Sequence, residues 1–214
     1  MSPEEACGAV HDLLKPLPVV EQPGGVSITD GLYFFYEDGE SSNHASEGRI
    51  VRVGNHPRSD GTLVRRLQQH YRVGKNGSVF RKFLGGALMR AEDPSHPCLA
   101  PGPGRGHWER QDEKPCDRCR PVEQRVSRLL RTSFRFRCVF IPGRMERNRF
   151  EALLIASLSS CSVCRPSCRW LGKFAYSEVV RSAGMWNSQF VGGEPMTSDD
   201  LRRFARHVAS TRTE

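Results

Sequence analysis

The stretch Gly31-Leu-Tyr-Phe-Phe-Tyr36 decides the fold, together with its answer further along, Arg49-Ile-Val-Arg-Val-Gly54. Both are rich in the aromatic and β-branched residues that suit a pleated, half-buried surface. Glu37 to Gly48, between them, is polar and turn-rich, so the two runs are expected to pair as an antiparallel hairpin with a long, exposed connection.

Upstream, Ser2-Pro3-Glu4-Glu5 reads as a helix start, with an N-cap, a proline in the first turn and a glutamate three residues after the cap. Ala6, Val10, Leu13 and Leu14 give that helix one apolar face, and Pro16 and Pro18 end it. Residues 21–29 form a Gly/Pro/Ser loop. Downstream, Leu63 and Leu67 mark a helix over Thr62 to Tyr71, and Ser78 caps a second with a broad stripe from Val79 to Leu88. Residues 93–115 hold five Pro and three Gly and read as a flexible loop. A helix over Val122 to Leu130, a third strand over Phe134 to Ile141 and a helix over Met145 to Leu158 follow. A short helix over Ser177 to Ser182 and a last one capped by Ser198 complete the order. This order predicts an α+β fold: a small three-stranded, mainly antiparallel sheet flanked by helices. The expected division is an N-terminal helix and linker over 1–29, one domain over 30–190, and a C-terminal helix over 191–214.

The formal net charge is +8. Cys116 to Arg149 carries ten Arg against Asp117, Glu123 and Glu146, nearly the whole excess. Arg forks suit bidentate phosphate contacts, so nucleic acid is the expected partner, ahead of an anionic membrane surface. No apolar run approaches the ~20 residues of a membrane span. The acidic start Met1-Ser-Pro-Glu-Glu-Ala6 lacks a signal-peptide core, so a cytoplasmic setting is expected.

Three sets of residues could carry chemistry. Arg66 and His70 stand one turn apart on a helix face and could grip a phosphate and position a water, while the neighbouring Arg65 points elsewhere. Glu146 shares a helix face with Phe150 and Leu153, so its carboxylate should border the core at a pocket rim and suit one Mg²⁺. Cys116-Asp-Arg-Cys119 and Cys161-Ser-Val-Cys164 are two C-x2-C pairs that could share a tetrahedral zinc. Incidental loop cysteines are the alternative. Cys7, Cys98 and Cys138 read as loop or core thiols, Trp170 and Trp186 as packing anchors. His11, His44, His56, His96, His107 and His207 receive no role.

In that order, Gly31-Leu32-Tyr33, Arg52-Val53-Gly54, Arg66-Leu67, His70 and Glu146 resemble the GIY-YIG nuclease domain. The layout is similar to a divergent group of longer members. Gly77-Ser-Val-Phe80, Glu146-Arg-Asn148, Trp170-Leu-Gly172 and Ser182-Ala-Gly-Met-Trp-Asn187 carry that likeness. The resemblance spans about residues 30–190 and implies a Mg²⁺-dependent endonuclease acting on DNA. In that reading Glu146 holds the metal and Tyr33 orients or deprotonates the attacking water. Arg66 neutralises charge on the phosphate, and His70 assists Tyr33. Gly54 admits a close approach of the backbone, and Arg52, Arg65 and Asn148 contact substrate. Arg52 stands where the family has its second tyrosine. Asn148 and Asn187 are the candidates for its late asparagine. Two alternatives follow: a catalytically silent relative that binds nucleic acid, and a zinc-stabilised interaction module. Oligomeric state is not legible.

Overall fold

The computed structural model describes residues 1–44, 48–56, 62–72, 74–99, 108 and 117–211. Their elements run α1 (Pro3–Leu14), β1 (Gly31–Ser41), β2 (Gly48–Asn55), α2 (Leu63–Tyr71), α3 (Val79–Glu92), α4 (Arg120–Thr132), β3 (Phe134–Phe140), α5 (Arg144–Ser160), α6 (Glu178–Ala183) and α7 (Ser198–Thr211). The sheet is antiparallel with strand order β2-β1-β3, so the fold is α+β as expected.

Local chemistry explains the helix starts. The Ser2 hydroxyl accepts from the Glu5 backbone while the Glu5 carboxylate accepts from the Ser2 backbone, a reciprocal cap. Thr62 and Ser78 accept in the same way from the Arg65 and Arg81 backbone N–H groups.

The period-two alternation of β1 divides the core. Tyr33 and Phe35 pack with Leu63 and Leu67 of α2, Phe80 and Leu84 of α3, and Val126 and Leu130 of α4. Leu32 and Phe34 pack on the opposite face with Val10 and Leu14 of α1, Phe150 and Leu154 of α5, and Phe204 and Val208 of α7. The sheet is thus the middle of three layers.

The pairing of β1 with β2 is irregular. Phe35 faces Arg52 and Tyr36 faces Ile50, which leaves Val51 as the extra residue of a bulge. Val51 and Arg52 consequently both serve the α3 side, Val51 in that core and the Arg52 guanidinium 5.0 Å from the centre of the Phe80 ring. A strand without the bulge would alternate them to opposite faces.

Two expectations change. The strand does not end at Tyr36: β1 runs on to Ser41. Its polar continuation has buried partners. Glu37 accepts from the indole N–H groups of Trp170 and Trp186 at 3.1 and 2.9 Å, and Glu40 pairs with the buried Arg49 at 2.8 Å. Within the Pro/Gly-rich loop, Trp108 is fully buried and donates to the Lys82 carbonyl at 2.9 Å. A Cβ at Gly85 would come within 2.0 Å of its ring, so this helical glycine makes room for it. Residues 100–107 and 109–116 lie outside the described residues.

The cysteine pairs do not form one site. Cys119 belongs to the α2–α4 side, its sulfur 2.7 Å from that of Cys98, while Cys161 and Cys164 lie in the layer of α1 and α5. The sheet stands between them. Cys116 falls outside the described residues.

The Arg-rich stretch is largely absorbed by the fold. Arg137 and Arg147 are buried and donate to the backbone carbonyls of Leu17 and Ile141 at 3.0 and 2.9 Å. Arg125, Arg135 and Arg149 pair with Glu92, Asp38 and Asp200. A run of like charge in sequence is therefore not one phosphate-facing patch in space. No helix among the described residues is long and apolar enough to cross a membrane.

Candidate active site

Past the free edge of β2, a cleft of about 210 Å³ opens between α2, α3, α5 and residues 187–190. Its lining includes Tyr33, Arg52 and Asn55 from the sheet, Arg66 from α2, Glu151 from α5, and Asn187 and Phe190. A larger hollow of about 500 Å³ lies by Tyr36 and Glu40. There Arg135 pairs with Asp38, Arg137 donates to carbonyls and Glu40 holds Arg49, so its ionic groups already have partners.

Tyr33 sits opposite Gly54 in the ladder. A Cβ at Gly54 would lie 2.2 Å from the Tyr33 hydroxyl oxygen. The glycine therefore makes room for the tyrosine ring, where the expectation was a close approach of the backbone. The Tyr33 hydroxyl lies 2.9 Å from His70 Nε2, and His70 Nδ1 lies 2.7 Å from Ser78 Oγ. Burial first, then the charges of Arg66, Arg52 and Arg81, hold the His70 pKa well below its ordinary value of 6.5. The ring is neutral, with one donor and one acceptor nitrogen. In the tautomer that donates Nδ1–H to Ser78, Nε2 is the nitrogen that can receive the phenolic proton.

A buried network fixes this pair. Arg81 donates to the Glu123 carboxylate at 2.6 Å, to the Ser127 hydroxyl at 2.8 Å and to the His70 carbonyl at 3.0 Å. Both ions of the pair are almost fully buried, and so many donors and acceptors are matched that the desolvation cost is offset.

Arg66 reaches Gln69 at 2.8 Å through one terminal nitrogen, while its Nε is buried with no acceptor among the described residues. The Arg52 Nε has none either, although its Nη1 donates to the Trp186 carbonyl. Both guanidiniums line the cleft, and two cationic forks at one opening are a ready place for an anion.

Among the described residues, the acidic residue at the cleft is Glu151, and Glu146 is elsewhere. Glu146 accepts from Arg203 at 3.0 Å and lies 3.3 Å from His207, both on α7. Burial raises its pKa, but the His207 and Arg203 hydrogen bonds outweigh that, and the net shift is downward. Glu146 does share a face with Phe150, as its spacing implied. That face meets α7, where Phe150 packs on Phe204 and His207. Residue 151 follows residue 146 by about 140° around the helix, which turns Glu151 to the cleft beside Ile155. Burial raises the Glu151 pKa; the charge of Arg52, a backbone hydrogen bond from Asn55 and the charge of Arg66 oppose the rise. Glu151 is also the sole acid between Arg147 and Ser160, a signal that the sequence did carry.

The other expected contacts divide. Arg65 is exposed at the start of α2 and lines no part of the cleft. Asn148 is exposed at the surface and accepts from Asn55 at 2.9 Å. Asn187 occupies the open edge of β2: its amide accepts from the Val53 N–H at 3.0 Å and donates to the Val53 carbonyl at 2.8 Å. It thereby imitates a neighbouring strand. Phe190, which the sequence did not single out, sits at the rim, 45% exposed, with φ of 63°. A bulky residue in that region is strained unless its surroundings hold it there.

The model of the GIY-YIG domain matches residues 25–214. The chain belongs to the GIY-YIG family, a class built on a nuclease-type fold. No curated protein and no solved structure matches this chain.

Proposed function

We propose that this cleft hydrolyses phosphodiester bonds of nucleic acid, DNA in the first place, with one divalent cation, Mg²⁺, held by Glu151. The observation that carries the reading is the meeting of the Tyr33–His70 pair, two guanidinium groups and one carboxylate at a single cleft. The donor set fits the ion: a hard oxygen ligand on one carboxylate, with the rest of the shell left for water and phosphate, is the usual setting of Mg²⁺. When bound, Mg²⁺ supplies Lewis-acid polarisation of the phosphate and neutralises the leaving oxygen.

The residues of the chain do the rest. Tyr33 orients the attacking water and accepts its proton as the phenolic proton passes to His70 Nε2. Oxygen bonds to phosphorus, the opposite P–O bond breaks, and the departing oxygen takes a proton from solvent. Arg66 and Arg52 face the phosphate and stabilise the charge that accumulates on it. Ser78 and the Arg81–Glu123 pair keep His70 in position.

The test is nicking of supercoiled plasmid in Mg²⁺ by the wild type, Glu151→Gln and Glu146→Gln. The reading requires that the first substitution stop cleavage and the second leave it. Equal cutting by wild type and Glu151→Gln sinks it. A second reading, a silent relative that binds nucleic acid, is favoured by Arg52 in place of the second tyrosine. It predicts salt-sensitive DNA binding without cleavage by any of the three proteins.

A further inference from the structure

We infer that Cys7 and His11 of α1, together with Cys161 and Cys164 after α5, form a zinc site that fastens the N-terminal helix to the domain. It is separate from the cleft and from the four-cysteine arrangement suggested by the C-x2-C spacings.

The ligand atoms of Cys7, His11 and Cys164 all lie within 4.8 Å of one another, as do those of Cys7, His44 and Cys161. Cys7 is common to both groups. The Cys164 sulfur is 3.7 Å from His11 Nε2. Zinc with Zn–S near 2.3 Å and Zn–N near 2.0 Å holds tetrahedral ligands about 3.5–3.8 Å apart. Cys7, His11 and Cys164 already approach that spacing, and a turn of the Cys161 side chain away from His44 would bring in the fourth ligand. Cys7, His11, Cys161 and Cys164 are all buried, at 0%, 3%, 1% and 8% exposure. Soft thiolates with imidazole in tetrahedral array select zinc over the hard cations.

Two sequence pairs supply these ligands. Cys7 and His11 are one turn apart on one face of α1. Cys161 and Cys164 form a C-x2-C turn whose backbone is already folded for a metal: the Cys164 N–H points at Cys161 Sγ, 3.4 Å away. Neighbours hold the turn against α1 and the β1–β2 connection. The Glu4 carboxylate accepts from the Ser162 N–H and hydroxyl at 3.1 and 2.7 Å, and Asn43 donates to the Val163 carbonyl at 2.9 Å.

His44 is the fifth group. Its Nε2 lies 3.1 Å from Cys161 Sγ. We assign it as a hydrogen-bond donor to that thiolate, because the helix pair and the C-x2-C turn already fill four positions. Such outer partners orient a ligand and moderate its charge.

The consequence is mechanical. The family match begins at residue 25, so α1 lies outside it, and α5 carries Glu151 at its middle and ends at this cluster. A metal here would tie the added helix to the far end of the helix that supplies the carboxylate of the cleft.

The test is zinc content of the full chain, purified without a histidine tag, beside Co²⁺ reconstitution of the metal-free protein. The double variant Cys161→Ser/Cys164→Ser, and Cys7→Ser and His11→Ala singly, should each contain one equivalent of zinc fewer than wild type. His44→Ala and the exposed Cys168→Ser should keep it. His11→Cys should retain the metal and shift the Co²⁺ bands towards those of a four-thiolate site, which reads out even if the serine variants fold poorly. Equal zinc in wild type and the double variant overturns the proposal. So does a metal-free wild type that gives no tetrahedral Co²⁺ spectrum, or a thiol titration showing these cysteines joined as a disulfide. Zinc lost in His44→Ala and kept in His11→Ala overturns the ligand assignment.

Discussion

Glu146 and Glu151 stand on one helix and meet opposite surroundings. The first faces α7, where Arg203 pairs with it and His207 lies within hydrogen-bond reach; the second faces the cleft, where burial works against its charge. Glu146 has partners within the fold and is useful to it. Glu151 is costly to the fold and available to a ligand. A carboxylate whose charge burial opposes, beside the Arg52 and Arg66 guanidiniums, is what a cation-assisted phosphate site needs. The same contrast separates function from stability: losing Glu151 should damage the chemistry and spare the fold, and losing Glu146 should do the reverse.

The sharpest way to break this comparison is Glu151→Gln, for which cleavage should fall by at least about 10³-fold, roughly 4 kcal/mol in the barrier. Urea or thermal unfolding at neutral pH should show stability unchanged or raised. Burial lifts the Glu151 pKa, so the stability it contributes is fully present below the ordinary value of 4.5 and declines as pH rises through the raised one. A variant that loses stability while still cutting would reverse the assignment.

Arg66→Ala should come next, with a loss of about 10²-fold in cleavage, near 2.7 kcal/mol. Arg66→Lys should recover only part, since an ammonium cannot offer the two parallel donors. Plasmid nicking at saturating DNA reads both, and full activity in the lysine variant would remove the bidentate role.

Glu146→Gln should leave cleavage within about threefold. It should cost less than about 1 kcal/mol, because the pair with Arg203 is partly open to solvent. The native pKa of Glu146 is below its ordinary 4.5, so its contribution is present above that pH and fades as pH drops through the lowered value. The wild type and the variant should therefore converge in stability in acid, as chemical denaturation at several pH values would reveal.

The last expectation is a pH dependence that belongs to His70. Its native pKa lies well below 6.5, so beneath that pH the unfolded chain binds a proton that the native state refuses. Stability should decline as pH falls from about 6.5 towards the depressed native value. His70→Asn should flatten that slope, whatever its own cost at neutral pH. An unchanged slope would mean that His70 is not held neutral in the fold.

The wall of the cleft formed by β1, β2 and α2 was legible in advance, and the wall formed by α5 was not. Tyr33 and Gly54 come from the resemblance to the GIY-YIG domain, while Arg66 and His70 share a face because they are one helical turn apart. For Glu146 the helical period places it on the face of Phe150, as the structure has it. What it could not reveal was which neighbour that face would meet. The bulge at Val51 decided the orientation of Arg52, and the Asn187 amide was placed by the empty edge of β2, neither of which spacing encodes.

By itself, then, the sequence determined the element order, the α+β class and the antiparallel pairing. Those depend on hydrophobic period, caps and turns, which act over a few residues. The tertiary structure alone decided that α5 offers Glu151 to the cleft and Glu146 to α7, and that Cys7 and His11 meet Cys161 and Cys164 while Cys119 lies across the sheet. The physical reason is one of phase: the rotation of a helix and the layer a loop joins are set by packing among distant segments, which no single stretch contains.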